Sequence, residues 1–408
     1  VGQGHELILV LFRSRSELPK APWAAPSDAV RPSQCRRRRG AVAVSFPRCS
    51  GEEACRVADR LLLLLGPSSG GIRRHVAFLA ETMTARGWEV EVAGPAGVMG
   101  GLRRLDHVIG VTAGPSSLRA GARFQRLARR ADLVHAHGLS AGFVATLPRK
   151  TRPTVLTLHN VVLDSAGPAK PLLRFLEARL PKRVDATIAV STDMAAHITP
   201  TPHCITAPGP RPAPTANPTE VRRSYGIAAD APLLVTVARL HPQKGLSVWL
   251  AAFAKVRATH PAAVALIVGE GPLDGELRAE AFRLGVADSV VWAGAVDDAS
   301  NEMAAADVIV VPSVWESGPL VVREAMALGR PLVTTRVGMV DQWLSQDAGW
   351  IGEADDANSL SAAVSYALAD RFEAARRGAA AARAYDDQDV SAKAFDAIAA
   401  VYDEVGRR

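Results

Sequence analysis

Short apolar runs alternate with longer amphipathic stretches along most of this chain. Runs of the length expected for strands buried on both faces occur at 61–65, 89–93, 133–137, 154–158 and 186–190. A second series follows at 232–238, 265–268, 290–296, 306–312 and 331–335. Between them lie segments with helical spacing, of which 72–86, stopped by Gly87, is the clearest. An Ala-rich helix is predicted over 359–376, and a last one over 389–405, where Val390, Ala394, Ile398 and Val401 share a face. Strand alternating with helix is the pattern of a parallel sheet covered on both faces, so the expected class is α/β. A chain of 408 residues exceeds what one core usually holds, which points to two domains.

Breaks in this pattern divide the chain. Residues 1–57 are rich in Pro, Ser and Arg, with Arg36–Arg39 in a row, and keep no period. They hold too little apolar surface to offset the entropy of ordering, so a disordered tail is expected, either translated upstream sequence or a basic membrane-binding arm. The first domain is expected over 58–207. The proline-rich segment 208–218 continues neither helix nor central strand and reads as a stiff connector. A second domain over 219–376 and a C-terminal helical segment over 377–408 complete the division.

Composition narrows the class. At 48% hydrophobic and 22% charged residues, the chain resembles a soluble globular enzyme, and no apolar run is long enough for a membrane span. The apolar run at 7–12 is too short for a signal-peptide core and lacks a following small-residue cleavage site. Cys35, Cys49, Cys55 and Cys204 match no zinc spacing, so reduced thiols in a cytoplasmic protein are expected. The net charge of +7 is uneven, at +5 over 1–57, +9 over 58–205 and −8 over 219–408. No aromatic-interleaved basic motif marks a nucleic-acid partner, and an anionic membrane surface or an acidic acceptor fits the basic half better.

Two helices carry much of that positive charge. Arg119, Arg123, Arg126 and Arg130 recur at steps of four, three and four, with Leu118, Ala122, Leu127 and Ala131 supplying apolar area. A second helix, 171–183, carries Arg174, Arg179, Lys182 and Arg183 beside Leu172, Leu173, Phe175 and Leu176. A solvated face explains each alone. Together on one domain they point to peripheral docking at the inner face of the cell membrane.

Candidate chemistry concentrates in 312–338. A strand runs into a loop bearing Glu316, and the loop opens a helix that carries Glu324 and closes at Gly329. Open α/β sheets bind ligands at the carboxyl ends of their strands, where both acids fall. Their separation of about two helical turns lets them grip different parts of one elongated ligand, and a helix N-terminus there suits a diphosphate. The plain alternative is a pair of acids complementing the helix dipole. In the first half, Gly70 and Gly71 end a strand-to-helix turn where backbone amides can approach a phosphate. His137 and His159 each end a strand, a place more often held by a packed, hydrogen-bonded histidine. Gly269, Gly271 and Gly275 have the wrong spacing for a dinucleotide fingerprint, and Asp297-Asp298 is not an Asp-x-Asp clamp, so no metal is expected.

The Glu316-x7-Glu324 element, followed by Ala-Met-Ala-Leu-Gly-Arg-Pro-Leu-Val, resembles the donor-binding signature of retaining family-4 glycosyltransferases of the bacterial group 1 type. Ala-Arg-Leu-His-Pro-Gln-Lys-Gly is similar to that family's Arg-Leu-x-x-x-Lys-Gly segment, and Thr-Leu-His-Asn to its sugar-contacting histidine segment. The resemblance covers roughly 60–405 and implies the GT-B fold, two Rossmann-like parallel-sheet domains facing a cleft. It also implies transfer of a sugar from a nucleotide-diphosphate sugar, with retention, to a lipid-linked, glycan or small-molecule acceptor in polysaccharide or glycolipid biosynthesis.

Residue roles follow from the same resemblance. Glu316 would position the sugar, Glu324 the ribose, Arg239 and Lys244 the diphosphate, and His159 the sugar hydroxyls. Gly70 and Gly71 would meet the diphosphate across the cleft, Val296 the nucleobase, and Leu320 and Val321 other parts of the donor, with His137 and Asn160 as acceptor or sugar contacts. Fixed cations would stabilise the leaving group with no cofactor or metal. The final helix would cross back onto the first domain. Ser317-Gly318-Pro319-Leu320 stands where the family has wording closer to Pro-Phe-Gly-Leu, and Pro319 lacks a backbone N–H. A nucleotide-sugar epimerase of the same architecture and a non-catalytic nucleotide-sugar-binding protein are the other classes this pattern allows.

Overall fold

The computed structural model describes residues 59–68, 70–98, 105–111, 117–160, 170–206, 209–388 and 390–407. The expected tail, 1–57, lies outside the described residues, as do Ser69 in the glycine turn and Pro208 at the start of the connector.

Five consecutive leucines show how the sequence builds the first domain. Successive side chains of a strand point to opposite faces, so Leu62 and Leu64 enter one core while Leu61, Leu63 and Leu65 enter another. This strand, β1 (Arg60–Leu65), is therefore buried on both sides, as a central parallel strand must be. β2 (Glu89–Gly94), β3 (His107–Val108), β4 (Leu133–His137), β5 (Thr154–Leu158), β6 (Ala186–Ala189) and β7 (Cys204–Ile205) pair with it in the order β3-β2-β1-β4-β5-β6-β7.

The second sheet repeats the scheme with β8 (Leu233–Val237), β9 (Val264–Val268), β10 (Val290–Gly294), β11 (Val308–Val311), β12 (Leu332–Thr335) and β13 (Trp350–Gly352). Its order is β10-β9-β8-β11-β12-β13, and every pairing in both sheets is parallel. Chain direction across each sheet reverses beside its first strand, between β1 and β4 and between β8 and β11. Such switch points leave a crevice at the strands' carboxyl ends, where ligands bind.

The end of the chain departs from expectation. The Ala-rich segment forms two helices, Ala357–Ala369 and Arg371–Gln388, because the Asp370 side chain accepts from the backbone N–H groups of Phe372 at 2.8 Å and Glu373 at 3.1 Å and so starts a new helix. Ala381 and Tyr385 pack into the second domain's core, whereas Phe395, Ile398, Val401 and Tyr402 of the Val390–Gly406 helix pack into the first domain's. The crossing thus falls between these two helices, later than a boundary at 376/377 places it.

The arginine helices also differ from the sequence reading. The first spans Ser117–Ala128, so Arg130 lies just past its end. It buries Phe124, Gln125 and Ala128, while Leu118 is 58% exposed and Ala122 is exposed beside Arg119, Arg123 and Arg126. Gly121 decides this choice of face. A Cβ there would stand 2.7 Å from the Leu147 carbonyl oxygen, so only glycine lets the helix approach this closely. The second spans Lys170–Arg179 and buries Leu176, leaving Leu172 and Phe175 about half exposed.

Candidate functional site

The carboxyl end of β11 leads into the Glu316 loop, which two glycines hold in place. Gly245 and Gly338 both adopt positive φ, and a Cβ would stand 2.0 Å from the Pro312 carbonyl oxygen at the first and 2.4 Å from the Ser317 carbonyl oxygen at the second. Any other residue would push the loop away. The Pro242–Lys244 turn after β8 adds further ties. Gln243 accepts from the Val314 N–H at 2.9 Å through its carbonyl and donates to the Trp315 carbonyl at 3.1 Å through its side-chain amide.

On this scaffold Lys244 pairs with Glu316, whose Oε1 also accepts from the Ser313 hydroxyl at 2.7 Å. Arg239, at the end of β8, is exposed and makes no ion pair among the described residues. His241 lies between these cations; burial first, then Arg239 and Lys244, lower its pKa.

Glu324 lies in the Leu320–Ala327 helix and is buried. Arg74, from the Gly71–Ala85 helix of the first domain, donates to its Oε1 at 2.8 Å and lies 3.7 Å from Asp298. The other oxygen, Oε2, is buried without a hydrogen-bond partner among the described residues. Burial raises the pKa of Glu324, Arg74 opposes the rise, and Asp298 adds to it. Gly71 faces the same helix, since a Cβ there would lie 3.4 Å from Leu320. Gly70 is exposed at positive φ as the N-cap of its helix. Val321 and Val296 are half-buried, and Val296 lies beyond the end of β10 rather than on it.

The first domain contributes histidines. His137 Nδ1 and His159 Nε2 are 3.2 Å apart, and the two rings stack with centroids at 5.5 Å. His75 meets both edge-on, at 5.3 and 5.1 Å. Behind them His135 contacts the Tyr402 hydroxyl at 2.6 Å and the Thr157 hydroxyl at 2.7 Å. Burial, reinforced by neighbouring imidazoles, holds His135, His137 and His159 well below the usual histidine range, so the rings are neutral at neutral pH. Donor atoms of His75, His137 and His159 lie within 4.8 Å of one another, a set able to hold a zinc-class cation. The His137–His159 spacing serves equally as a ring-to-ring hydrogen bond. The His159 carbonyl accepts from the Ser317 hydroxyl at 3.0 Å, which ties the histidine wall to the Glu316 loop, and Asn160 is exposed beside it.

Sequence reasoning named Lys244, Glu316, Glu324, Gly71, His137 and His159, and the fold brings them to the facing ends of the two sheets. It missed Arg74, Gln243, Ser313 and Ser317. Asp298 was weighed only as a metal ligand. Gln243 lies inside the quoted Arg239–Gly245 segment and could have been noticed there. Arg74 gave no such signal, because its partners lie in the other domain.

Residues 217–385 match the family described as glycosyl transferases group 1, and residues 70–201 match the glycosyl transferase 4-like domain. The chain belongs to the group 1 glycosyltransferases and has their GT-B fold. It is 34% identical over 235 residues to the D-inositol 3-phosphate glycosyltransferase of Segniliparus rotundus, a match covering 51% of this chain and 52% of that protein, about half its length. It is 31% identical over 328 residues to the phosphatidyl-myo-inositol mannosyltransferase of Mycolicibacterium smegmatis, covering 72% of this chain and 80% of that one. Among solved structures, Anabaena Alr3699/HepE in complex with UDP and glucose superposes with a TM-score of 0.73 at 19% identity, over 84% of this chain and 99% of that chain.

Proposed function

We propose that the protein transfers a hexosyl group from a nucleoside-diphosphate sugar to an acceptor hydroxyl with retention of configuration. The observation that carries this reading is the Lys244–Glu316 pair, with the exposed Arg239 that makes no ion pair among the described residues, at the carboxyl ends of β8 and β11. In the proposed reaction the bond from the anomeric carbon to the β-phosphate oxygen breaks, and the nucleoside diphosphate leaves with the electron pair. The acceptor oxygen bonds to the anomeric carbon on the same face, and its proton passes to the departing phosphate. Arg239 and Lys244 stabilise the charge that builds on the leaving oxygen, so no metal is needed. Glu316 orients the sugar, Glu324 the ribose and His159 the sugar hydroxyls. Incubating the full chain with UDP-, GDP- and ADP-sugars tests this: nucleoside diphosphate released with one of them is expected, and epimerised donor or binding without turnover would contradict it.

The acceptor and its location belong to the same proposal. A lipid-linked acceptor at the inner face of the cell membrane fits the exposed Leu118, Leu172 and Phe175, interleaved with arginines on two helices. It also fits a groove of about 400 Å³ lined by Arg123, Arg126, Arg130, His107 and Val108. No helix among the described residues is long and apolar enough to cross a membrane, and the arginine-rich helices with exposed apolar side chains fit adsorption at a surface. One relative is named for phosphatidyl-myo-inositol, itself a lipid. The expected result is cosedimentation with anionic vesicles at low salt and release near about 0.5 M salt, where screening shortens charge interactions to a few ångströms. Binding should weaken at least tenfold, by roughly the worth of two or more arginines, when Arg119, Arg123, Arg126 and Arg130 become Gln. Equal binding to neutral vesicles would contradict it.

A further inference from the structure

The ion pair between Arg74 and Glu324 joins two helices on opposite sides of the cleft. Glu324 is only 5% exposed and Arg74 21%, so this is not a solvent-screened surface pair. The guanidinium takes one carboxylate oxygen and approaches Asp298 with its second terminal nitrogen, while Oε2 of Glu324 stays buried and without a hydrogen-bond partner among the described residues. A buried carboxylate oxygen lacking a donor is rare enough to call for an explanation, and a ligand hydroxyl supplies one.

We propose that Arg74 is a positioning residue for the nucleoside: it holds Oε1 of Glu324 from the opposite domain and leaves Oε2 as the acceptor for a ribose hydroxyl. The assignment rests on the nucleotide-sugar reading above. The ribose site is then complete only when the Gly71–Ala85 helix stands against the second domain, so nucleotide binding and apposition of the domains favour each other.

Arg74 also sets the charge of the acceptor. Burial favours the neutral form of Glu324, and Asp298 works in the same direction. Arg74 opposes both from the first domain. Arg323 and Tyr385 line the small cavity beside Glu324, whose other walls, Gly209, Pro210 and Leu320, carry no titratable side chain. Without Arg74, the carboxyl titrates at higher pH. Affinity that depends on the carboxylate is then lost at a higher pH than in the wild type, whose Glu324 pKa burial already raises against the opposing pull of Arg74.

The test is calorimetric titration of the full chain with UDP, GDP and ADP from about pH 5.5 to about pH 8.5, a range that covers buried carboxyls. Arg74→Met should weaken binding by about tenfold, the scale of one charge-assisted hydrogen bond, and the loss should grow as pH falls. Arg74→Lys keeps the charge without the planar fork and should restore the wild-type pH profile but only part of the affinity. Glu324→Gln should bind weakly at every pH, and adding Arg74→Met to it should cost nothing more. Unchanged or tighter binding by Arg74→Met would overturn this assignment alone, the tighter case marking Arg74 as a competitor of the ribose. Failure of the wild type to bind any of the three nucleotides would overturn the nucleotide-sugar reading and this assignment with it.

Discussion

The two walls of the cleft handle polarity in opposite ways. On the first domain, His137 and His159 sit in a buried cluster with His75 and His135, and His135, His137 and His159 stay neutral because burial disfavours the charged form. On the second, Lys244, Glu316 and Glu324 remain close to solvent or to an opposite charge, and Arg239 is exposed with no ion pair among the described residues. A neutral wall offers fixed hydrogen bonds that do not repel a negatively charged donor, whereas a charged wall can exchange partners when a diphosphate arrives. The division suits a site where sugar hydroxyls must be held still and a leaving group must accumulate charge.

The largest effect should come from breaking the charged wall. Replacing Arg239 or Lys244 by Ala should lower turnover by about 10²-fold or more, the scale for one lost transition-state donor. Steady-state kinetics in which both variants keep activity within about threefold would remove the catalytic distinction between the walls, since that lies well below the expected loss.

Acid should break the neutral wall instead. Unfolded histidines gain protons near about pH 6.5, while His135, His137 and His159 resist protonation until well below it. The unfolded state therefore binds more protons in this window, and stability present above about pH 6.5 is lost as pH falls, by up to about 4 kcal/mol per pH unit for three such groups. Glu324, whose folded pKa is raised, acts with the opposite sign and offsets part of the loss at lower pH. Urea unfolding at a series of pH values should show this slope, and His137→Asn should reduce it by about a third, one group of three. A flat profile across the window would mean that the histidines are charged or exposed. The smallest effect is expected from chelation: if fixed cations neutralise the leaving group, EDTA should leave the rate nearly unchanged. A rate lost to EDTA and restored by Mg²⁺ or Mn²⁺ would move the charge stabilisation to a metal, and one restored by Zn²⁺ would direct attention to the His75–His137–His159 set.

What the sequence disclosed of these walls depended on how local their causes are. Lys244 and Glu316 each sit in a short segment whose strand, turn and polar residue lie together in the chain, so both loops were legible. The Arg74–Glu324 contact depends on two domains meeting and left no local trace. The same limit applies to the Ser117–Ala128 helix, where two apolar arcs compete. Counting residues favoured the arc of Leu118 and Ala122, while the fold buries Phe124 and Ala128 because Gly121 permits a close approach to Leu147. Likewise Asp370 read as one more residue of an Ala-rich helix, although its side chain caps a new one.

The most direct test of the account follows the anomeric carbon itself by proton NMR, in EDTA, while the full chain acts on an α-linked nucleotide sugar with acceptor present. The expected result is release of the nucleoside diphosphate with an α-linked product. A β-linked product, or a donor epimerised with its diphosphate still attached, would contradict it.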